Sequence, residues 1–222
     1  MRLWHLLGLW LRSLKNLDPN PSSDPEYVSN LMKGRRMVRD FQDRRLKEGV
    51  AKQLIDAARY APRAGNTEGI RYLLLEEETV TDYWETTLRE GAREEFPWPG
   101  LLKAPTLIVV WVSPPRYLSR YGEADKERAG LGGKESSWST PYWWVDGGMA
   151  SMSILLAAES QNLGALFFGL FEHESAVKSK FNIPDEFRAI GTIAIGHAAK
   201  EQRKSKSTLR DRLPVESLLF GE

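Results

Sequence analysis

The chain has 222 residues, of which 41% are hydrophobic and 27% charged, and this balance is typical of a globular protein. Its 31 basic residues nearly cancel its 30 acidic residues, so the overall charge gives no indication of nucleic-acid binding. The sequence contains no cysteine, which excludes disulfides, thiolate catalysis, iron–sulfur clusters and cysteine zinc sites. The three histidines are far apart, so no metal site is predicted, and we expect a cytoplasmic protein.

Residues 1–17 show an amphipathic helical pattern, with tryptophan and leucine on one arc and basic residues on the other. Arg12 and Lys15 interrupt the apolar run, so it is unsuited to crossing a bilayer. Three alternatives stay open: a helix docked on this protein or its partner subunit, a helix lying peripherally in a membrane surface, or a start that never becomes ordered. Residues 18–25 then predict a linker, because their X-Pro steps do not fit a helix.

From residue 26 to residue 222 the pattern predicts one α+β domain. The predicted helices cover residues 25–34, 48–61, 79–95, 144–164 and 174–181, and the predicted strands cover residues 70–77, 106–112, 165–171 and 188–196. Strands separated by helices indicate a mixed β-sheet flanked by helices. The run at 106–112 is apolar throughout, so we expect it to be a central strand.

Residues 113–143 form a long stretch rich in charge, glycine and aromatic side chains, and we expect an irregular loop or lid there. Its "GLGGK" does not fit a phosphate-binding loop, because Arg128 stands where that motif needs glycine. The tail beyond residue 200 is polar and then ends in an apolar "LLF". The motifs of serine hydrolases, zinc proteases and Rossmann dinucleotide-binding proteins are absent.

Four short motifs occur in a definite order. "GRRMVRDF" at residues 34–41 interleaves three arginines with apolar side chains, and "APRAGN" at residues 61–66 lies between a predicted helix and a predicted strand. "FGLF" at residues 168–171 ends a strand, and "KSK" at residues 204–206 follows the last strand. Clustered arginines beside apolar positions indicate a site for an anion that is partly shielded from water.

This order resembles the FMN-dependent nitroreductase superfamily over residues 26–214. The opening pattern of that superfamily, R-R-S-V-R-x-F, is matched by "RRMVRDF" at all but one position. Its second signature, A-P-S-x-x-N-x-Q-P-W, is kept at Ala61, Pro62 and Asn66 and departs elsewhere. The pair of bases in "KSK" corresponds to the tail signature. The resemblance implies a nitroreductase-like fold that forms an intertwined homodimer with flavin at the interface.

The resemblance implies that FMN is the cofactor and that its phosphate, which carries about −1.5 to −2 charges, is held by Arg35, Lys204 and Lys206. Arg36 is expected to span the phosphate and the ribityl chain. Met37 replaces the serine that usually binds phosphate, so one hydrogen-bond donor is lost.

The resemblance assigns three further groups of residues to the flavin ring. Arg39 is expected at the pyrimidine end, where its cation would stabilise the reduced ring. Pro62, Arg63, Ala64 and Asn66 are expected beside the flavin of the partner subunit. Backbone N–H groups of Gly169 and Leu170 are expected near the other edge of the ring. Phe168 and Phe171 are expected to lie in the core of the protein.

The implied activity is that of an oxidoreductase passing a hydride from NADH or NADPH, by a ping-pong mechanism, to a small nitroaromatic or quinone acceptor. The flavin carries the chemistry, so no catalytic side chain is predicted. Two alternatives stay open. One is a reductive dehalogenase similar to iodotyrosine deiodinases, for which the stretch at 113–143 supplies Tyr117, Tyr121, Glu123, Lys126 and Lys134. The other is a non-catalytic flavin- or F420-binding protein.

Overall fold

The computed structural model describes residues 26–89, 91–203 and 210–221. The predictions for the N-terminal helix, the linker, Lys204 and Lys206 therefore lie outside the described residues. The chain divides into two units, residues 1–35 and residues 36–222. Helix α1 (Tyr27–Gly34) belongs to the first unit and is followed by Arg35, whose backbone N–H donates to the carbonyl of Leu31 at 3.0 Å.

The second unit is built on a four-stranded sheet in the order β1-β2-β4-β3. The strands are β1 (Ile70–Glu76), β2 (Thr106–Val112), β3 (Gly164–Phe168) and β4 (Arg188–Gly196). All neighbouring strands are antiparallel, and an isolated bridge between Met37 and Ala165 is the one parallel pairing among the described residues. The α+β class is confirmed, but the mixed character of the sheet is confined to that bridge.

The register of β1 and β2 shows which path their helical connection takes. Glu76, the last residue of β1, pairs with Thr106, the first residue of β2. The intervening segment therefore leaves β1 and enters β2 at the same end of the two strands. A parallel neighbour would need a crossover to the opposite end. The presence of a helix between two strands does not by itself decide between these two paths.

Strand β2 lies in the middle of the core, and all of its side chains are buried. Alternate side chains point to opposite faces of the sheet, as the pleat of a strand requires. Ile108 and Val110 belong to a cluster with helices α2 (Val50–Ala58) and α5 (Tyr142–Ser160). Val109 and Trp111 belong to a second cluster with α3 (Glu78–Thr87) and α6 (Glu174–Phe181). The sheet is therefore covered by helices on both faces.

The stretch at 113–143 is more regular than predicted. It begins with helix α4 (Pro114–Tyr121) and continues through short turns of 3-10 helix. The composition of charge, glycine and aromatic side chains favoured a loop assignment. The two prolines at the start are compatible with the helix, because N–H groups in the first turn of a helix have no partner within it. Tyr117 is fully buried, so tertiary packing holds this helix in place.

Four predicted elements end at least three residues earlier than expected, including the helices that end at Ala58 and Ser160. The helix predicted over residues 79–95 ends at Thr87, and the strand predicted over residues 165–171 ends at Phe168. No helix in the described part of the chain is both long enough and apolar enough to cross a membrane.

Candidate functional site

The arginine segment (residues 36–41) runs along the edge of β3. The N–H of Val38 donates to the carbonyl of Ala165 at 3.0 Å, next to the bridge formed by Met37. The approach is close at Gly164, where a Cβ atom would lie 2.9 Å from Cγ1 of Val38. Glycine at the start of β3 therefore allows the two backbones to meet, and the segment is fixed against the strand that ends at the predicted flavin edge.

The tail strap (residues 197–203) covers the other side of this segment. Phe41 bridges Ala198, and the N–H of Ala199 donates to the carbonyl of Asp40 at 2.9 Å. The Nε2 group of Gln202 donates to the same carbonyl at 2.6 Å. The tail strap therefore lies against the arginine segment as far as Arg203, the last described residue before the gap, while the roles of Lys204 and Lys206 stay predictions.

Two guanidinium groups meet on the indole of Trp98, a residue that the motifs did not identify. The guanidinium carbon of Arg203 lies 4.1 Å from the ring centroid, and that of Arg39 lies 5.1 Å from it. Nη1 of Arg39 also donates to the carbonyl of Met37 at 3.3 Å. Arg36 is exposed at the start of the segment. Several arginine side chains are therefore concentrated where the arginine segment meets the tail strap, as at sites that bind an anionic group.

The end of β3 leads into the predicted flavin edge at Gly169 and Leu170. Leu170 is buried in the core, and Phe168 stacks on Trp84 with 5.9 Å between ring centroids, which confirms the core position of Phe168. The core position predicted for Phe171 is wrong, because this side chain is 82% exposed. Phe171 also has a φ of 48°, a left-handed conformation that is disfavoured for a bulky residue. An exposed aromatic side chain in a strained backbone thus lies next to the predicted site.

The proline loop (residues 62–68) contains a tight turn at Gly65 and Asn66, whose φ values are 61° and 53°. Nη1 of Arg63 forms an ion pair with Oε1 of Glu68 at 2.6 Å, and Nη2 donates to Oδ1 of Asn66 at 3.0 Å. The side chain of Arg63 is only 18% exposed. Arg63 therefore supports the loop from within, and Pro62 and Asn66 are exposed.

Asp146, on α5, lies behind this loop and was not identified from the sequence. Its side chain is buried, and its Oδ2 accepts hydrogen bonds from the N–H of Ala64 at 2.8 Å and from the hydroxyl of Tyr117 at 2.9 Å. Burial raises the pKa of Asp146, while these two hydrogen bonds and the charge of Arg63 oppose the shift. Burial and the nearby carboxylate also raise the pKa of Tyr117.

Helix α4 holds the loop from a second direction. Nε of Arg120 donates to the carbonyl of Gly65 at 2.8 Å, and its Nη1 pairs with Asp125 at 2.6 Å. A cavity of about 340 Å³ opens beside Ala64 and includes three aromatic rings in its wall, which is formed by Ala64, Tyr121, Leu131, Trp138, Ser139, Thr140 and Tyr142. Tyr117 packs in the core and is therefore unavailable for the substrate-gripping role that a deiodinase-like lid would need.

The contacts of the predicted residues therefore form two groups. The arginine segment, β3 and the tail strap lie together, whereas the contacts of the proline loop lead to α4 and α5. Arg35 ends the first unit, and its role stays a prediction. Within the described ranges no group of three or more histidine, aspartate and glutamate side chains is arranged to hold a metal ion.

Comparison with known proteins identifies the family to which this chain is similar. The model of the nitroreductase family matches residues 32–197. A Methanothermobacter thermautotrophicus relative with the provisional name NADH dehydrogenase/NAD(P)H nitroreductase is 26% identical over 194 residues, covering 85% of this chain and 86% of its own. An NADPH-dependent oxidoreductase of Staphylococcus aureus is 23% identical over 194 residues, covering 86% of this chain and 71% of its own.

Solved structures show the same fold. A nitroreductase family protein from Streptococcus pneumoniae superposes with a TM-score of 0.64 at 21% identity, covering 87% of this chain and 99% of its own. A provisionally named nitroreductase from Desulfovibrio desulfuricans, solved in complex with FMN, gives a TM-score of 0.64 at 19% identity, covering 88% and 96%. Since the family model spans most of the second unit, including three of the four motifs, the chain belongs to the nitroreductase family.

Proposed function

We propose that this protein is an FMN-dependent oxidoreductase that uses NADH or NADPH to reduce a small organic acceptor. The observation that carries the proposal is the convergence of Arg39 and Arg203 on Trp98, beside the backbone contacts that join the arginine segment to β3. The names of relatives support the same class, because they include an NAD(P)H nitroreductase and an NADPH-dependent oxidoreductase. One structural neighbour holds FMN.

The cationic residues of the segment and the tail are proposed to bind the anionic end of the cofactor. Arg35, with Lys204 and Lys206, is assigned to the phosphate, and Arg36 to the phosphate and ribityl chain, as the family motif implies. Arginine suits this task because its planar fork of donors matches the oxygen atoms of phosphate. Met37 bridges Ala165 through its backbone and packs its side chain against the core, so it offers the phosphate no hydroxyl in place of the missing serine.

Bound FMN would supply two-electron chemistry, in which hydride is taken from NADH or NADPH and then given to an acceptor of the nitroaromatic or quinone type. The protein has to orient the cofactor and keep water away from the reacting edge. Gly169 and Leu170 are assigned to that edge, and the burial of Leu170 keeps the strand end in contact with the core. The aromatic cavity beside Ala64 supports an acceptor with a flat ring.

A homodimer is part of this proposal. Helix α5 carries exposed Tyr142, Trp144 and Met149, although most of the helix is apolar and packed. The C-terminal segment exposes a further series of large apolar side chains, namely Leu213, Val215, Leu218, Leu219 and Phe220. Exposed apolar surface of this extent is typical of a protein–protein interface. In such a dimer the proline loop of one subunit would lie beside the flavin of the other.

Initial-rate kinetics test the ping-pong part of the proposal. A double-reciprocal plot against NADPH or NADH at several fixed quinone concentrations should give parallel lines, because the first product leaves before the acceptor binds. Intersecting lines would contradict this order. Sedimentation velocity of the FMN-loaded protein tests the assembly and should give a dimer, whereas a fully active monomer would refute the shared site.

A further inference from the structure

The proline loop contains a turn in which two consecutive residues are left-handed. Gly65 and Asn66 are consecutive residues in the left-handed region, with φ values of 61° and 53°. Glycine adopts this region readily, and asparagine is among the few other residues that tolerate it. Such a turn persists when its surroundings fix it. The groups that hold the loop must therefore include side chains from other elements.

Side chains from α4 and α5 bind the backbone of this turn. Oδ2 of Asp146 accepts from the N–H of Ala64 at 2.8 Å, and Nε of Arg120 donates to the carbonyl of Gly65 at 2.8 Å. Gly65 also packs closely against the ring of Tyr121, and a Cβ atom at this position would lie 2.9 Å from Cε2 of that ring. The backbone between Ala64 and Asn66 is therefore held on both its donor and its acceptor side.

Asp146 is the least expected of these groups. Its side chain is 1% exposed, and the neighbouring inward residues of α5, such as Ala150 and Ile154, are apolar. A carboxylate in such surroundings is unfavourable unless hydrogen bonds compensate its burial. Both donors to Oδ2 come from other elements, Ala64 from the loop and Tyr117 from α4. A single carboxylate oxygen therefore connects α5, α4 and the loop.

We propose that Asp146 is a positioning residue that fixes Ala64 and thereby sets the place of Asn66 relative to the cofactor of the partner subunit. Its own side chain faces the core and reaches the cofactor only through the loop. The effect on the cofactor rests on the proposed function, whereas the effect on the loop does not. Asp146 would thus hold the loop in its binding conformation before FMN arrives, so that less conformational entropy is lost on binding.

The experiment measures hydrogen exchange of the Ala64 amide and FMN affinity in the full chain. Asp146→Ala removes the acceptor, so Ala64 should exchange at least about tenfold faster and the dissociation constant of FMN should rise at least about tenfold. Asp146→Asn retains an oxygen that can accept from Ala64, and its FMN affinity should stay within about threefold of wild type. Rescue by this conservative variant distinguishes positioning from general destabilisation.

Ser151→Ala is the matched control on the same helix. Ser151 is buried, and its hydroxyl donates to the carbonyl of Gly147 at 2.7 Å, within α5. This variant loses a buried hydrogen bond without touching the loop, so Ala64 exchange and FMN affinity should match wild type. Equal effects of Asp146→Ala and Ser151→Ala, or wild-type exchange of Ala64 in Asp146→Ala, would overturn the proposal. So would unchanged FMN affinity in Asp146→Ala.

Tyr117→Phe provides a second test if Asp146→Ala does not fold. It removes one of the two donors to the carboxylate and should accelerate Ala64 exchange by about threefold or more. Tyr83→Phe, which loses a buried bond of 2.7 Å to Thr192, should leave that exchange unchanged. Equal exchange in both variants would overturn the positioning role. If wild type binds no FMN, the proposed function fails, and Ala64 exchange alone decides the role of Asp146.

Discussion

The guanidinium carbon of Arg203 lies 4.1 Å from the centroid of the Trp98 indole, and this contact holds the tail strap beside the arginine segment. The side-chain Nε2 of Gln202 donates to the backbone carbonyls of Asp40 and Ala199, at 2.6 and 3.2 Å. Trp98 also contacts Arg39, which is predicted to bind flavin. One aromatic ring therefore joins Arg39 to the tail strap, which precedes Lys204 and Lys206 in the sequence. The indole therefore holds Arg39 and Arg203 close to each other.

Arg203→Ala should weaken FMN binding. A cation–π contact near the surface contributes about 0.5–1 kcal/mol, so the dissociation constant should rise by roughly two- to fivefold. Quenching of FMN fluorescence on titration with apoprotein measures this change. The control is Arg116→Ala, which loses a guanidinium 5.5 Å from the Phe187 ring, away from the tail strap. An equal rise in both variants, or none in Arg203→Ala, would contradict a role for the strap.

Arg63 and Glu68 should act as a pair. The guanidinium of Arg63 is bound within the loop by its ion pair with Glu68 and its hydrogen bond to Asn66. Its effect on the flavin is therefore expected to be indirect. Arg63→Ser and Glu68→Gln should each cost about 0.5–1 kcal/mol of stability, because Glu68 is largely exposed.

Redox potentiometry and thermal unfolding test this pairing, and the double variant should lose no more stability than either single variant. The flavin reduction potential should stay unchanged in all three. If Arg63→Ser lowers the potential while Glu68→Gln does not, the guanidinium acts directly on the reduced ring. If only Arg63→Ser raises KM for anionic acceptors and spares neutral quinones, it instead binds the acceptor.

Phe171→Asn should stabilise the protein and lower its activity. The left-handed backbone costs a bulky residue about 1 kcal/mol, and asparagine tolerates it better, so Tm should rise by about 2–4 °C. Turnover should fall, since the exposed ring lies beside Gly169 and Leu170 at the proposed reacting edge. Strain retained at such a place is typical of function.

Tyr60→Asn is the control for Phe171, because Tyr60 is 81% exposed and is not among the residues with positive φ. It should change neither Tm nor turnover. A Phe171→Asn variant with raised Tm and full turnover would show that the strained phenylalanine has no part in the reaction.

His197 should make the protein less stable in acid. Burial, with a further contribution from Arg44, lowers the pKa of His197, so the folded state binds fewer protons than the unfolded state. Stability from this group is therefore present above the unfolded pKa of about 6.5 and is lost as pH falls below it.

Urea unfolding between pH 5 and pH 8 measures the effect of His197. His197→Gln should reduce the loss of stability in acid. Identical pH profiles for wild type and His197→Gln would refute the assignment.

The main elements could be predicted because their hydrophobic patterns are strong. The apolar run of β2 and the nearly apolar stretch of α5 identified the central strand and the long buried helix. The end of the helix at Thr87 was missed because the residues that follow have a composition that also suits a helix. In the structure the described residues after it form turns. Helix α4 was missed because the charge, glycine and aromatic content of the whole stretch at 113–143 favoured a loop.

The candidate site was predictable only where a family motif exists. The arginine segment and the proline loop carry such motifs, whereas Asp146 stands alone in an apolar helix. Its partners, Ala64 and Tyr117, are 82 and 29 residues away in sequence. Trp98 and Arg203 likewise meet only after folding. A buried acid on an otherwise apolar helix face is the one signal that could have pointed to Asp146.

The visible absorbance spectrum of the purified protein, recorded anaerobically, tests the central claim most directly. The account predicts a flavin band from FMN bound to each chain, which NADH or NADPH bleaches and a nitroaromatic or quinone restores. A band that neither nucleotide bleaches would indicate a flavin-binding protein without this activity. A colourless protein that takes up no added FMN would contradict the account.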